Sequence, residues 1–394
     1  MLDFYDPSLF SDEIRKLIHL NLQSNIGGTF SSHQDYPVFC CRHEYDLLTA
    51  ENRENLVIKE FPQVLLAWAK LDQNKDYKPS DLLILDLETT GLGRGATIAF
   101  MVGLGYFDAD KYIVEQLFLP EPDAEFNSFD RILELLEQKS VLVTFNGKTF
   151  DVPVLESRFL NNQLWTKIRN MEHIDVLHIA RRLWKNRAPS CALETLEYYI
   201  LGQIRDKELD IEGSIIPQTY YQFLITGEAD LVQRIFIHNQ LDVLNTATLL
   251  AMICNNVSFP LPDDLDYRLD YHAIAKLYQS VGQIDIAQEI LQRLLSEAYL
   301  SPDILFDLGA IIKRKGLLSE AIEYFNAGAE LNDKRCLYEL AVYLEQKEKN
   351  MAAALECTER LICLCRGSIS SALFSEASLI KRRDRLVKKL SKQD

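Results

Sequence analysis

The sequence has no cysteine pair at zinc-finger spacing, no apolar run near the roughly 20 residues that cross a membrane, and no surplus of positive charge. The eight cysteines fall as an adjacent pair (Cys40, Cys41), one Cys-x-Cys (Cys363, Cys365) and four singles. Adjacent cysteines bridge poorly because the ring strains the backbone, so free thiols in a cytoplasmic protein are expected. Met1-Leu2-Asp3-Phe4-Tyr5-Asp6 has neither a basic region nor an apolar core, and no signal peptide is read there. Without a long apolar run, no membrane partner is expected. The net charge of −16 argues against bulk electrostatic attraction to a polyanion. Any nucleic-acid site must be local, with metal ions supplying part of the positive charge.

What is present divides the 394 residues into three stretches. Residues 1–78 form an extension of unclear role, with helical spacing over Asp12 to Gln23 and Glu60 to Lys70 and a short strand from Tyr36 to Cys41. Residues 79–256 alternate strand and helix patterns. Leu82 to Leu85 and Val141 to Phe145 are apolar runs suited to buried strands. Ala99 to Phe107 and Tyr112 to Leu119 flank the turn Asp108-Ala109-Asp110 as a hairpin, and Ala124 to Gln138 has helical spacing. That order predicts an α/β domain with a mixed sheet flanked by helices. Val257 to Asp266, with two prolines and three aspartates, reads as a linker. Residues 268–394 are helical throughout, and Gly282 and Ala287 recur as Gly316 and Ala321 at a period of 34. This is the period of a tetratricopeptide-like repeat. A degenerate third copy covers Cys336 to Leu364. A final helix carries Arg382, Arg383, Arg385, Lys388 and Lys389 as a solvated charged face.

Three acidic motifs carry the candidate chemistry. Asp86 and Glu88 end the first apolar strand, and positions i and i+2 of a strand face one side. Asn146-Gly147-Lys148-Thr149-Phe150-Asp151 follows the second buried strand. His238 and Asp242 stand at i and i+4 of a helical stretch, on one face. Each has a plain structural alternative: a solvated strand end, a helix N-cap at Asp151, a surface His–Asp pair. The window Trp165 to Pro189 holds six basic side chains against Glu172 and Asp175, with Trp165 and Trp184 at its flanks. Such a window suits phosphates and stacked bases, or a solvated helix face over core tryptophans.

In this order the motifs resemble the DnaQ-like DEDD 3′–5′ exonucleases. More closely, the chain resembles the YprB-like ribonuclease H-like exonuclease family within them. That likeness rests on Thr89-Thr90-Gly91-Leu92, Val102-Gly103-Leu104-Gly105, Asn146-Gly147-Lys148-x-Phe150-Asp151, His173-x-Asp175, Leu193-Glu194-x2-Glu197 and Ile216-Pro217-x2-Tyr220. The resemblance implies a ribonuclease H-like fold followed by tetratricopeptide-like repeats. It implies a two-metal site in which Asp86, Glu88, Asp151 and Asp242 hold Mg2+ or Mn2+ and His238 activates or orients water. Thr89, Thr90, Gly91, Leu92, Asn146 and Lys148 are expected to touch substrate, and Asp175 to support the ligands without joining them. The histidine-to-aspartate spacing departs from the family, which uses His-x4-Asp or Tyr-x3-Asp, and this leaves the base assignment at His238 open. The expected partner is nucleic acid, as single strands or 3′ ends, with a protein partner on the repeats. The rivals are a catalytically inactive adaptor and a structure-selective endonuclease.

Overall fold

The computed structural model describes residues 12–50, 55–91, 97–266, 268–297, 299–365 and 375–391. The chain divides into two compact units, residues 1–270 and 271–394. Among the described residues no helix is long and apolar enough to cross a membrane.

The first unit contains α1 (Asp12–Ile26), β1 (Thr29–Phe30), β2 (Phe39–Asp46), α2 (Gln63–Ala69), β3 (Leu82–Thr89), β4 (Ala99–Asp108), β5 (Lys111–Phe118), α3 (Glu125–Gln138), β6 (Val141–Thr144), α4 (Asp151–Asn161), β7 (Glu172–Asp175), α5 (Val176–Leu183), α6 (Leu193–Leu196), α7 (Ile216–Thr226) and α8 (Ala229–Asn256). The seven strands form one sheet in the order β1-β2-β5-β4-β3-β6-β7. β3, β4 and β5 are an antiparallel meander, while β6 and β7 add in parallel beyond β3. This is the mixed α/β sheet flanked by helices that the pattern predicts.

The amino-terminal stretch joins this sheet. β2 pairs with β5 along its whole length, from Phe39 opposite Phe118 to Asp46 opposite Lys111. The expected strand at Tyr36 to Cys41 is displaced toward the C-terminus, because Tyr36 has φ 53 and leaves the extended region. The polar run Arg42-His43-Glu44 conceals the true strand. Its charges lie outward, where Glu44 meets both Arg42 and Lys111.

One close approach positions the rest. Gly103 and Gly105 of β4 face α8. A Cβ at Gly103 would lie 2.5 Å from Asn239 Oδ1 and 2.7 Å from Val243 Cγ2, and one at Gly105 would lie 2.7 Å from Val243 Cγ1. The two glycines therefore let the helix rest on the sheet backbone. Tyr112 Oη ties the layers by donating to the Val243 carbonyl at 3.2 Å.

The second unit is helical: Tyr271–Ser280, Ile284–Ser296, Pro302–Arg314, Leu318–Glu330, Lys334–Gln346, Met351–Cys365 and Glu376–Leu390. Gly282 and Gly316, one period apart, both end a helix at φ 83. The last helix is not simply a solvated charged face. Arg382, Arg385 and Lys389 converge on the buried carboxylate of Glu345, at 2.9, 2.9 and 2.8 Å.

Gly103→Ala should destabilise the first unit by about 1–3 kcal/mol, the usual cost of overpacking a filled interior. The expected sign is a lower urea midpoint at unchanged slope. A wild-type midpoint would show that α8 can retreat.

Candidate metal centre

The carboxylates gather where β3 and β6 end. Ile84 of β3 lies level with Val143 of the parallel β6, so the residues that follow both lie at the same end of the sheet. Asp86 and Glu88 occupy the last turns of β3, opposite Gly103 and Met101, and the pairing shifts register immediately after Glu88. Asp151 is the first residue of α4, whose N-cap is Phe150. Its side chain does not cap that helix. Instead Asp151 Oδ1 accepts the Leu87 N–H at 3.1 Å, which fixes it to the middle of the Asp86–Glu88 pair.

α8 supplies the third side. Asn239 is fully buried, and its Nδ2 donates to Asp86 Oδ2 at 2.8 Å. Gln116 Nε2 donates to Asn239 Oδ1 at 2.9 Å and to the Phe236 carbonyl at 2.8 Å. With Oδ1 so engaged, the Asn239 amide can present only its N–H to Asp86. His238 and Asp242 flank this contact, with His238 Nε2 3.7 Å from Asp242 Oδ2.

A buried arginine completes the cluster. Arg205 reaches Asp242, Glu197 and Asp210 with one guanidinium. Its Nε donates to Glu197 Oε2 at 2.6 Å. Glu197 begins a π-helical turn, Glu197–Leu201, and its side chain is 1% exposed. Asp210 Oδ1 lies 2.9 Å from His238 Nδ1, which leaves Nε2 as the nitrogen facing Asp242.

The electrostatics are strained. Asp86 and Glu88 keep some contact with solvent yet sit deep among protein atoms. Burial, then the charge of Asp242, pushes Asp86 up to about 7, against the pull of His238, Asn239 and Arg205. Glu88 and Asp151 are driven well above the carboxylate range, by burial first and by Asp86 second. At His238 burial acts to lower the pKa, but the bond to Asp210 and the charges of Asp242 and Glu88 outweigh it and raise it to about 9. Oxygen donors that repel one another in a low-dielectric site suit a hard dication, which would relieve that repulsion. The donor set fits such an ion in kind. In spacing, Asp242 is drawn to Arg205, and among the described residues no three acidic, histidine or cysteine side chains stand close enough to hold an ion as placed.

The other expected contacts are arranged as follows. Thr89 Oγ1 donates to the Gly91 carbonyl at 2.8 Å, and Thr90 Oγ1 accepts from the Ile98 N–H at 3.0 Å, so both hydroxyls shape their own loop. Leu92 lies outside the described residues. Asn146 takes φ 69, and Lys148 is exposed beside it. Asp175 accepts from the N–H groups of Asn146, Lys148 and Leu177, at 2.9, 3.1 and 3.2 Å, fastening the second motif to α5. The basic window does not act as one surface. Trp184 is fully buried and offers no stacking face, while Trp165 is 81% exposed beyond the far end of α4 from Asp151.

A family model described as RNase_H superfamily matches residues 83–254. The uncharacterized protein YprB of Bacillus subtilis (strain 168) is 30% identical over 334 residues, which cover 82% of this chain and 80% of that protein. The family B DNA polymerase from the hyperthermophilic archaeon Pyrobaculum calidifontis superposes with a TM-score of 0.37 at 12% identity. That superposition covers 74% of this chain and 51% of the polymerase, so the chain spans about half the polymerase's length.

Two outcomes follow from the cluster. Arg205→Met strands Glu197 as an unpaired buried charge and should cost about 3–5 kcal/mol in urea unfolding. Arg205→Lys, which keeps charge but loses the fork, should cost less. Separately, Asp86 holds its proton more tightly folded than unfolded, so its contribution to stability declines as pH rises from 3.8 to about 7. In metal-free buffer Asp86→Asn should melt like wild type near pH 4 and above it near pH 8. A gap independent of pH would contradict the raised Asp86.

Proposed function

The chain belongs to the YprB family and carries an RNase_H superfamily domain, and from that premise we propose that it is a divalent-metal-dependent 3′–5′ exonuclease. It hydrolyses phosphodiester bonds of DNA or RNA to nucleoside 5′-monophosphates. The observation that carries this reading is the convergence of Asp86, Glu88 and Asp151 at one end of β3 and β6, faced by His238 and Asp242 from α8.

In this reading Asp86, Glu88, Asp151 and Asp242 hold two ions, Mg2+ or Mn2+. Such ions supply Lewis acidity and stabilise the attacking and leaving oxygens of the displacement. Asn239 fixes the Asp86 carboxylate, and the Asp151–Leu87 bond fixes the second motif against the first. Asp210 orients His238 so that Nε2 is the atom that exchanges a proton. While the neighbouring carboxylates are unneutralised, His238 keeps that proton at neutral pH. With their charge offset, the imidazole returns toward its ordinary range, where it can accept one. Residues 268–394 act as a tetratricopeptide-like platform for a protein partner.

The inactive-adaptor reading has one observation in its favour, the Arg205 contact to Asp242. Against it stand buried carboxylates whose repulsion a bound cation would relieve. End-labelled DNA and RNA strands incubated with the full chain and Mg2+ or Mn2+ should give a ladder receding from the 3′ end. Chelator should abolish it, and Asp86→Asn should slow it by several orders of magnitude. Internal cuts would sink the exonuclease reading in favour of an endonuclease, and an intact substrate would favour the adaptor.

A further inference from the structure

The outer side of α5, beside the edge strand β7, concentrates positive charge in a chain of net −16. α5 starts directly after Asp175, whose carboxylate binds the N–H groups of Asn146 and Lys148 as well as that of Leu177. The head of α5 and the turn that leads into Asp151 are thereby one unit. Along α5 the core side is Val176, Leu177, Ile179, Ala180 and Leu183. Its outer side carries His178, Arg181 and Arg182, and Lys185 follows just past the helix end. Arg181 and Arg182 are three and four residues from His178 and share one stripe with it. Arg181, Arg182 and Lys185 are exposed, and His178 is half-buried.

The amino-terminal stretch extends the stripe. The Arg182 guanidinium lies 5.4 Å from the ring centroid of Trp68, on α2, and Lys70 closes α2 at φ 62. Lys70 and Lys148 are near enough to repel, as are His173, Lys148 and His178. The two acids of β7 already have partners. Asp175 has the three N–H groups, and Glu172 has Lys75, Tyr77 and the Asp72 N–H.

We propose that this face, running from Lys148 along α5 to Trp68 and Lys70, carries the phosphates of the single strand whose end lies at the carboxylate site. The inference rests on the exonuclease reading. Two features favour a nucleic-acid strand over an acidic protein segment. Lys148 stands in the turn that leads directly into Asp151, so this face begins on the same turn as one carboxylate of the site. A guanidinium laid on an indole also presents the combination of charge and flat surface that suits sugar-phosphate and base together. α5 is about 12 Å long, enough for a few nucleotides. Lys167 and Arg169 fall outside this face, on the connection after α4, where Arg169 pairs with Glu156 at 3.0 Å.

The test uses the full chain with Asp86→Asn, in chelator, and a short fluorescein-labelled oligonucleotide read by anisotropy. Adding Arg181→Gln, Arg182→Gln and Lys185→Gln should weaken binding at least about tenfold. It should also flatten the log–log salt dependence by about 2, since each single-strand phosphate contact contributes about 0.7. Lys167→Gln with Arg169→Gln should change neither. Unchanged affinity in the triple variant overturns the proposal, as does equal weakening in both variants, which would mark a diffuse charge effect. Competition by polyglutamate as effective as by unlabelled oligonucleotide overturns it in favour of a protein partner. Failure of the parent reading is separately visible: wild-type chain with Mn2+ would then leave bis(p-nitrophenyl) phosphate and every labelled strand intact, whatever the anisotropy shows.

Discussion

β4 lies so near α8 that one added methyl group at Gly103 would strike Asn239. That separation sets the geometry of everything above it. Because the helix rests on bare backbone, Asn239 reaches Asp86 directly and Gln116 reaches Asn239 from the neighbouring strand. The same seating carries His238 and Asp242 to the rim of the carboxylate cluster. A larger residue in β4 would lift the helix and loosen all three contacts together. The site is thus an outcome of packing between layers, with its polar groups placed by an apolar constraint.

The charges are balanced from the opposite direction. Burial raises the proton affinity of Asp86, Glu88 and Asp151, and Asp86 in turn raises that of Glu88 and Asp151 while Asp242 raises that of Asp86. Arg205 and His238 answer them from the loop and helix side, with Glu197 and Asp210 holding the two cations in place. Asp242 belongs to both sets. It faces the carboxylates through His238 and is tied to the guanidinium. An ion at Asp242 would have to compete with Arg205, which Glu197 and Asp210 hold in place.

Much of the architecture is written in local pattern. β3, β4, β5 and β6 are legible because both faces of these central strands are covered, which leaves mostly apolar runs, broken in β5 by Glu115-Gln116 and at the end of β3 by the acidic pair. β2 is legible only over Phe39 to Cys41, because beyond them Arg42 and Glu44 look to solvent and break the run. The acidic motifs are legible in combination, since three ordered signals at strand ends and on one helix face leave few other readings. Arg205 and Asp210 are not legible, as they stand in an aperiodic loop and act only through residues distant in sequence. Glu197 lies inside a quoted motif, but nothing local says that it anchors an arginine. The tryptophans show the opposite failure. A symmetrical pair in the sequence becomes one core residue and one surface residue, because Trp184 packs inward at the C-cap of α5 while Trp165 stands on the irregular connection after α4.

The pairing of β2 with β5 has a consequence in time. Phe39 and Phe118 are opposite one another in the sheet and 79 positions apart in the chain. At typical synthesis speeds of about 5–20 residues per second, β2 emerges from the ribosome about 4–16 s before its partner can. For that interval its neighbour is the two-residue β1, which pairs with Phe39 and Cys40 and leaves Cys41 to Asp46 without a ladder. Arg42 and Glu44 then carry a second role, since a charged edge discourages the strand from pairing with another chain during the wait.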